Sequence, residues 1–241
     1  MSAPKIIGLV CVRNEVDILR DTLGHMFAHG VDHILALDHG STDGTRELLF
    51  QHTRGKVISV REDSPQFYHE KWTNGLLGMA AAMFEDFWCI PFDADEFFIP
   101  LNRRTLAEEL HALDETAPCV LEAKVYQHAS RTHHAVKPLD LPKAAFRYTP
   151  GCSIKSGAHA INHPGPIISG LLEVREWHAL NEWHFVEKTR KHLETRRPDM
   201  PEGESVKYAK RQGLASEDLR KLYRVWAATC VVFDPIPIVG A

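Results

Sequence analysis

Apolar runs of strand length alternate with amphipathic helical patterns through the first hundred residues of the chain. The runs occupy residues 5–12, 31–37, 56–60 and the stretch that begins at Trp88, and apolar residues at helical spacing lie between them. Successive strand–helix–strand units of this kind are right-handed and place their strands parallel to one another. The sequence therefore predicts an α/β fold with a mainly parallel sheet flanked by helices.

Polar residues follow three of these predicted strands at the points where the strands end. The turn Arg13-Asn14-Glu15 follows the first strand, Asp38 ends the second, and Asp93-Ala94-Asp95-Glu96 follows the fourth. Ligands of open α/β sheets bind beyond the carboxyl ends of the strands. We therefore expect these residues to meet at one edge of the sheet and to form a site there.

Three carboxylates within four residues make the last of these turns unusual. The acids Asp93, Asp95 and Glu96 repel one another unless a cation or a proton relieves them. A hard divalent ion with oxygen ligands can do so, and phosphate oxygens often complete its shell. The alternative is that these acids cap a strand and face water. If the strand continued to Glu96, Asp93 and Asp95 would share one face and Glu96 would lie on the other.

The loop from Asp38 to Thr45 combines a candidate ligand-binding residue with candidate helix caps. Asp38 ends a buried strand, where a carboxylate needs a partner, so we predict that it binds a base or a sugar hydroxyl. Asp43 is predicted to cap the next helix, as Asn14 is predicted to cap the first. Neither G-x-x-x-x-G-K-[ST] nor G-x-G-x-x-G follows the first strand, which excludes P-loop and dinucleotide sites.

Composition narrows the class of protein further. The chain has 241 residues, 44% of them hydrophobic and 25% charged, as expected of a globular domain. A net charge of −4 gives no overall basic surface, so no nucleic-acid partner is expected. We find no signal peptide and no run of about 20 apolar residues that would span a membrane. Five dispersed cysteines favour reduced thiols, and together these features predict a cytoplasmic protein.

Three ordered motifs resemble one family of enzymes. Val12-Arg13-Asn14-Glu15, the stretch from Leu37 to Thr45, and Phe92-Asp93-Ala94-Asp95-Glu96-Phe97 resemble the nucleotide-diphosphate-sugar glycosyltransferases of GT-A fold. The most similar are the family 2-like and family 92-like members, whose acidic motif is D-x-D-E-F. The resemblance implies a GT-A (Rossmann-like) fold with a C-terminal acceptor-side extension. It also implies a metal-dependent transfer of a sugar, with inversion, from a nucleotide-diphosphate donor to a hydroxyl acceptor, the expected donor being a UDP-sugar.

The resemblance also implies roles for individual residues. The turn Arg13-Asn14-Glu15 and Asp38 would line the base and ribose, and Asp93 would hold ribose or metal. Asp95 would coordinate Mn²⁺ or Mg²⁺ between the two phosphates. In the later stretch from Lys155 to Pro164, Lys155 would pair with a phosphate, and His159 or His163 would complete the metal shell. The alternative for each histidine is local hydrogen bonding, which is the usual state of a histidine in a loop.

The second half of the chain is expected to bind the acceptor. A capping box at Thr105 predicts a helix to about Leu113, and residues 120–127 alternate as a strand does. Residues 128–150 are polar and contain three prolines, so we interpret them as an acceptor-side loop. Residues 216–231 predict a closing helix, whose apolar stripe would dock on the domain or seat a second copy in a homo-oligomer. The predicted domains are 1–195, with a nucleotide-binding half 1–100 and an acceptor-side half 101–195, and a helical extension 196–241.

An inverting transfer needs a carboxylate near the acceptor hydroxyl to take its proton. Glu173, Glu176 and Glu182 lie in the expected region, and we select Glu173, which follows an apolar run. The alternative function is a non-catalytic nucleotide- or carbohydrate-binding module on the same fold. A nucleotidyltransferase is disfavoured because the first loop lacks the glycine- and basic-rich sequence that such enzymes use.

Overall fold

The computed structural model describes residues 3–51, 55–113, 117–194, 211 and 213–236. The helices are α1 (Val16–Ala28), α2 (Thr45–Gln51), α3 (His69–Met83), α4 (Leu106–His111), α5 (Glu182–Glu194) and α6 (Ser216–Ala227). The strands are β1 (Lys5–Val12), β2 (His33–Asp38), β3 (Val57–Arg61), β4 (Phe87–Pro91), β5 (Glu96–Pro100), β6 (Val120–Gln127), β7 (His133–His134), β8 (Lys143–Arg147), β9 (Ser153–Ile154), β10 (Ile161–Asn162), β11 (Ile167–Glu176) and β12 (Val232–Phe233).

Eight strands form the central sheet, in the order β3-β2-β1-β4-β8-β6-β11-β5. The first four are parallel neighbours, and β11 is parallel to β6. Only β8 and β5 among them run in the opposite direction, because β8 pairs antiparallel with both of its neighbours and β5 pairs antiparallel with β11. The predicted α/β fold with a mainly parallel sheet is confirmed. The carboxyl ends of β1, β2, β4, β6 and β11 therefore share one edge.

Helices cover both faces of the sheet because alternate residues of the inner strands are apolar on both sides. On one face, Ile6 and Val10 of β1 belong to a core that also contains apolar residues of α1, α2 and α4. On the other face, Ile7 and Leu9 pack in a core with Trp72 and other residues of α3. Full burial of each such side chain contributes roughly 1.5–3 kcal/mol, so these two cores fix the strand order that positions the loops.

Two local details differ from the sequence prediction. Asn14 does not cap α1: the N-cap residue is Glu15, and Asn14 has a left-handed φ of 55°. Residues 128–150 are not a single loop, because they contain β7 and β8, and β8 inserts between β4 and β6. The capping box at Thr105 is present as predicted, with the Thr105 hydroxyl accepting from the Glu108 amide.

The C-terminal segment packs on the sheet-forming part of the chain. Helix α6 stacks on α5 through aromatic rings, with Trp226 and Tyr223 around Phe185. The short strand β12 pairs with β7. The predicted domain boundary at residues 195 and 196 lies outside the described residues. No helix in the described part of the chain is long and apolar enough to cross a membrane.

Candidate functional site

Hydrogen bonds tie the loop after β1 to the loop after β2. The Asn14 amide donates to the Ser41 hydroxyl at 3.0 Å, and the Asn14 side-chain oxygen accepts from the Thr42 amide at 2.8 Å. The Glu15 amide donates to the Thr45 hydroxyl at 2.8 Å. The left-handed turn at Asn14 places these groups in reach of one another, and the hydrogen bonds join the two loops into one rim of the site.

Asp43 has the structural role that the sequence predicts for it. Its carboxylate accepts from the amide and hydroxyl of Thr45 at 2.9 and 2.6 Å, and from the Val16 amide at 3.1 Å. It thus links the start of α2 to the start of α1. These contacts hold the rim in place, as expected of a structural residue.

Asp38 has a different environment at the end of β2. Its side chain is 2% exposed, and one oxygen, Oδ1, accepts from the Ser41 amide at 3.0 Å. The other oxygen, Oδ2, is buried and has no hydrogen-bond partner among the described residues. The Nε atom of Arg13 is also buried and has no hydrogen-bond partner among the described residues. Buried polar atoms are nearly always paired, so an unpaired acceptor at a strand end marks a place for a donor group of a ligand or a water.

The acidic turn, Asp93-Ala94-Asp95-Glu96, connects β4 to β5, and the chain reverses its direction there. Strand β4 ends at Pro91, and Glu96 begins β5 rather than continuing β4. The Asp93 amide donates to Glu96 Oε2 at 2.9 Å, and the Glu96 amide donates to the Asp93 carbonyl at 3.0 Å. The strand does not continue to Glu96, so the alternation that would place Glu96 on the face opposite to Asp93 and Asp95 does not apply. The side chain of Glu96 is buried.

Lys143, from β8, binds two of the three acids in this turn. Its Nζ lies 2.8 Å from Asp93 Oδ2 and 2.9 Å from Glu96 Oε1, and its side chain is 3% exposed. Burial opposes ionisation of Asp93, yet Lys143 and His69 hold its pKa well below the usual range. Burial raises the pKa of Glu96 well above its ordinary value; Lys143 opposes this shift, and the charges of Asp93 and Asp95 reinforce it.

Two further lysines reach the site from α5. Lys188 forms an ion pair with Asp95 Oδ2, and Lys191 forms one with Glu15 Oε1. The Lys191 ammonium also donates to the Asn14 carbonyl at 3.0 Å. Burial raises the pKa of Glu15 to about 7, against the opposing charges of Lys191 and Lys188. Helix α5 therefore closes over the ends of β1 and β4 with its positive charges.

The arrangement of the acidic side chains that the sequence suggests as ligands of Mn²⁺ or Mg²⁺ does not fit a divalent ion. Asp93, Asp95 and Glu96 each have a lysine ammonium within ion-pair distance. Within the described ranges there is no group of three or more histidine, cysteine or acidic side chains placed to hold a metal. A divalent ion would have to displace at least one ammonium to reach two of these carboxylates.

His69, which the sequence interpretation missed, faces the acidic turn. Its Nδ1 accepts from the Gly157 amide at 3.2 Å, so Nε2 carries the proton in the neutral ring and lies 3.7 Å from Asp93 Oδ1. His69 is the first residue of α3, and this position is what could have identified it from the sequence. In a strand–helix–strand unit, the N-terminus of the helix lies at the same sheet edge as the carboxyl end of the preceding strand. His159 is close by: its Nδ1 lies 2.8 Å from the Pro142 carbonyl, next to Lys143.

Two predicted residues, His163 and Lys155, have other neighbours. His163 contacts the Arg147 carbonyl at 2.8 Å, and because Arg147 pairs with Trp88 near the start of β4, His163 lies at the opposite edge from the acidic turn. This position does not support a role for His163 in completing a metal shell at Asp95. Lys155 is at the rim of the site, 56% exposed and 3.8 Å from Glu70.

Glu176, rather than Glu173, occupies the edge beside the acidic turn. In the pairing of β11 with β5, Glu176 lies opposite Glu96, whereas Glu173 lies opposite Ile99, three residues farther along. The Glu173 carboxylate pairs with Arg175 at 2.7 Å. The selection of Glu173 as the proton acceptor is therefore not supported by its position. Choosing among these glutamates required the strand register, which the local sequence does not reveal.

The carboxylate of Glu176 is held by two neighbours at this edge. His178 Nδ1 lies 2.8 Å from Oε1, and the Gln127 amide donates to Oε2 at 3.0 Å. The side chain is 14% exposed. A carboxylate that is oriented by two partners and still reaches solvent can accept a proton from a bound hydroxyl group.

Comparisons with known proteins give no family for this chain, but they give distant similarities to solved structures, of which three are described. No protein-family model matches it, and no curated protein does either. The chain is similar to 4-diphosphocytidyl-2C-methyl-D-erythritol synthase at 16% identity and a TM-score of 0.42, over 69% of this chain and 90% of that one. It is similar to HddC from Yersinia pseudotuberculosis complexed with GMP-PN at 11% identity and a TM-score of 0.40, over 71% and 93% of the two chains.

A third similarity is to UDP-glucose pyrophosphorylase complexed with UDP-glucose, at 10% identity and a TM-score of 0.33, over 50% of this chain and 58% of that one. All three structures are of nucleotidyltransferases rather than glycosyltransferases. With identities of 10–16% and TM-scores below 0.5, none of these similarities assigns a reaction or a ligand to this chain.

Proposed function

We propose that the chain is a glycosyltransferase that moves a sugar from a nucleotide-diphosphate donor, UDP-linked, to a hydroxyl acceptor with inversion. The observation that supports this most directly is the buried, unpartnered oxygen of Asp38 at the same sheet edge as the acidic turn. A base or ribose of the donor would supply the missing N–H or O–H. The neighbouring Arg13 and Asn14 would complete the nucleoside part of the site.

The sugar and its leaving group would lie over the acidic turn. In the transfer, the bond from the anomeric carbon to the diphosphate oxygen breaks, and the acceptor oxygen forms a new bond to the same carbon. Glu176 takes the acceptor proton, and the nucleoside diphosphate leaves with the bonding electron pair. Glu176 suits this role because His178 and Gln127 orient its carboxylate at the same edge as Glu96.

A requirement for Mn²⁺ or Mg²⁺ at Asp93 and Asp95 stays a prediction of the family resemblance. When bound there, such an ion would stabilise the negative charge on the departing diphosphate. The ion pairs of these carboxylates with Lys143 and Lys188 do not support that role. Assays of the activity therefore need each ion and a chelator as separate conditions.

The first test is a thermal-shift and calorimetric screen of nucleoside diphosphates and nucleotide sugars. A ligand that binds the native state raises its melting temperature by mass action. We expect Asp38→Asn to weaken nucleotide binding about tenfold or more, because the buried acceptor becomes a donor. Asp86→Asn is the matched control, since Asp86 lies before β4 at the other edge and pairs with Arg147.

Four outcomes would contradict the proposal. If no nucleoside diphosphate or nucleotide sugar binds, or if Asp38→Asn binds as well as the unaltered protein, the site is misassigned. Binding without turnover over a broad panel of acceptors would instead support a non-catalytic binding module. Formation of pyrophosphate from a nucleoside triphosphate and a sugar phosphate would identify a nucleotidyltransferase.

A further inference from the structure

The two lysines that α5 directs into the site contact two different loops. Lys188 and Lys191 are three residues apart, so they lie on the same side of the helix, one turn from each other. Lys188 pairs with Asp95 in the acidic turn, and Lys191 pairs with Glu15 after β1. Their side chains are only 11% and 19% exposed. Two ammonium groups are therefore held where the nucleoside site meets the acidic turn.

Four carboxylates of the acidic turn and of the loop after β1 are already paired with lysines without any added cation. Four carboxylates, those of Glu15, Asp93, Asp95 and Glu96, are paired with three ammonium groups, because Lys143 pairs with two of them. A divalent ion ligated by Asp93 and Asp95 would leave Lys143 and Lys188 each without one counter-ion in mostly buried positions. Removing one partner of a buried pair is strongly unfavourable, so this edge resists a metal rather than attracting one.

We infer that the ammonium groups of Lys188 and Lys191, rather than a divalent ion held by Asp95, neutralise the diphosphate of the donor, and that Asp95 and Glu15 are their counter-ions in the ligand-free protein. This inference rests on the proposed function. It assigns Asp95 the role of a counter-ion that Lys188 exchanges for the diphosphate, and in this arrangement the Asp95 carboxylate contacts neither a metal nor the donor.

The chemistry of the groups favours this exchange of partners. A lysine ammonium has three N–H donors, so one group can contact a carboxylate and a phosphate oxygen at the same time. A diphosphate has more negative charge and more acceptor oxygens than one carboxylate, and charge-assisted hydrogen bonds to phosphate are among the strongest in proteins. The two lysines stand at the junction where a diphosphate would follow a nucleoside bound at Asp38.

The experiment compares the affinity for UDP with the affinity for uridine by calorimetry, first in a chelator and then with Mn²⁺. We expect UDP to bind more tightly than uridine in the chelator, and Lys188→Met and Lys191→Met each to reduce that preference about 10- to 100-fold. Uridine itself should bind Lys188→Met as it binds the unaltered protein. Lys191 also holds the Asn14 carbonyl of the nucleoside site, so Lys191→Met is judged by the ratio of its affinities for UDP and uridine. Lys221→Met is the matched control, because Lys221 is 65% exposed on α6 and pairs only with Asp218 among the described residues.

A second pair of variants distinguishes a loss of UDP binding from a loss of folding. Lys188→Met leaves Asp95 buried without its partner, whereas Lys188→Met with Asp95→Asn removes both charges together. We expect the double variant to fold and to have the same weakened UDP preference as Lys188→Met. Asp95→Asn alone should bind UDP in the chelator at least as tightly as the unaltered protein, because Lys188 loses a competing counter-ion.

The opposite results separate the inference from the proposed function. A preference for UDP that arises only with Mn²⁺, is abolished by Asp95→Asn and survives Lys188→Met would overturn the inference and restore the metal site. Equal UDP preference in the unaltered protein and both single lysine variants would also overturn it. If neither uridine nor any nucleotide binds the unaltered protein, the proposed function itself fails.

Discussion

Lys143 provides the most direct test of how the acidic turn is held together. Its ammonium bridges Asp93 and Glu96 at 2.8 and 2.9 Å, and the side chains of Lys143 and Glu96 are 3% and 2% exposed. Lys143→Met keeps the length of the side chain and removes the charge. Breaking a buried ion pair by deleting one partner costs about 3–5 kcal/mol, because the other charge stays buried and unpaired.

The free energy of unfolding can be measured by urea denaturation followed by circular dichroism. For a chain of this size, each kcal/mol lowers the melting temperature by about 2–4 °C, so Lys143→Met should melt roughly 6–20 °C lower. The deficit should shrink as the pH falls, because Glu96 has a raised pKa and loses its charge on protonation. Adding Glu96→Gln to Lys143→Met should recover much of the lost stability, since it removes the unpaired charge.

Lys155→Met is the control for this prediction. Lys155 and Glu70 are 3.8 Å apart and 56% and 49% exposed, and exposed pairs of this kind contribute about 0–1 kcal/mol. If Lys143→Met changes the free energy of unfolding by less than about 1 kcal/mol, or by no more than Lys155→Met, the lysine does not hold the turn and the reasoning is refuted.

Two further predictions concern catalysis and acid sensitivity. Glu176→Gln should lower the rate of sugar transfer about 10²- to 10⁴-fold while nucleotide affinity is unchanged, and Glu173→Gln should have little effect on the rate; the reverse order of the two variants would restore Glu173 as the proton acceptor. His128 is fully buried, and this burial lowers its pKa from 6.5 to about 4, with the charges of His134 and Arg175 acting in the same direction. The folded protein thus binds fewer protons than the unfolded chain between these values, so stability should fall as the pH drops from 6.5 to 4, by up to about 3 kcal/mol from this residue. His128→Phe should flatten that part of the stability profile, and an unchanged slope in urea titrations across this pH range would contradict the assignment.

The sequence predicts the first half of the fold well because its signals are local. The apolar runs that form β1, β2, β3 and β4 are continuous, and the helices between them have regular spacing. The parallel order follows from the handedness of the connections, and it places Asp38 and the acidic turn at one edge. The capping box at Thr105 is equally local and forms as predicted.

The residues that complete the site could not be predicted because their positions depend on distant pairing. Strand β8 has five residues within a segment that contains prolines, and it is a strand only because β4 and β6 pair with it on both sides. Lys143 reaches the acidic turn through that insertion. Lys188 reaches Asp95 across 93 positions in the sequence, a contact that no local pattern encodes.

The acidic turn also acts as a mechanical tie between distant parts of the sheet. Strands β4 and β5 are four places apart in the sheet, which would separate them by about 19 Å if the sheet were flat. The five steps of chain from Pro91 to Glu96 span at most about 18 Å when fully extended, and this turn is not extended. The sheet must therefore be curved, so that β5, the strand at its edge, lies close to the carboxyl end of β4.

This curl makes the spacing of the carboxylates a property of the whole sheet. Strand β11, the neighbour of β5, has an irregularity between Ser169 and Leu172 where its register with β6 shifts. Gly170 lies inside it with a φ of +84°, and no atom lies within 4 Å of the place where a side chain would begin. A larger residue there would meet no steric obstacle, yet its backbone strain would alter the bend of β11. The resulting change in curvature would reach Asp93 and Asp95 through the strands, without any direct contact.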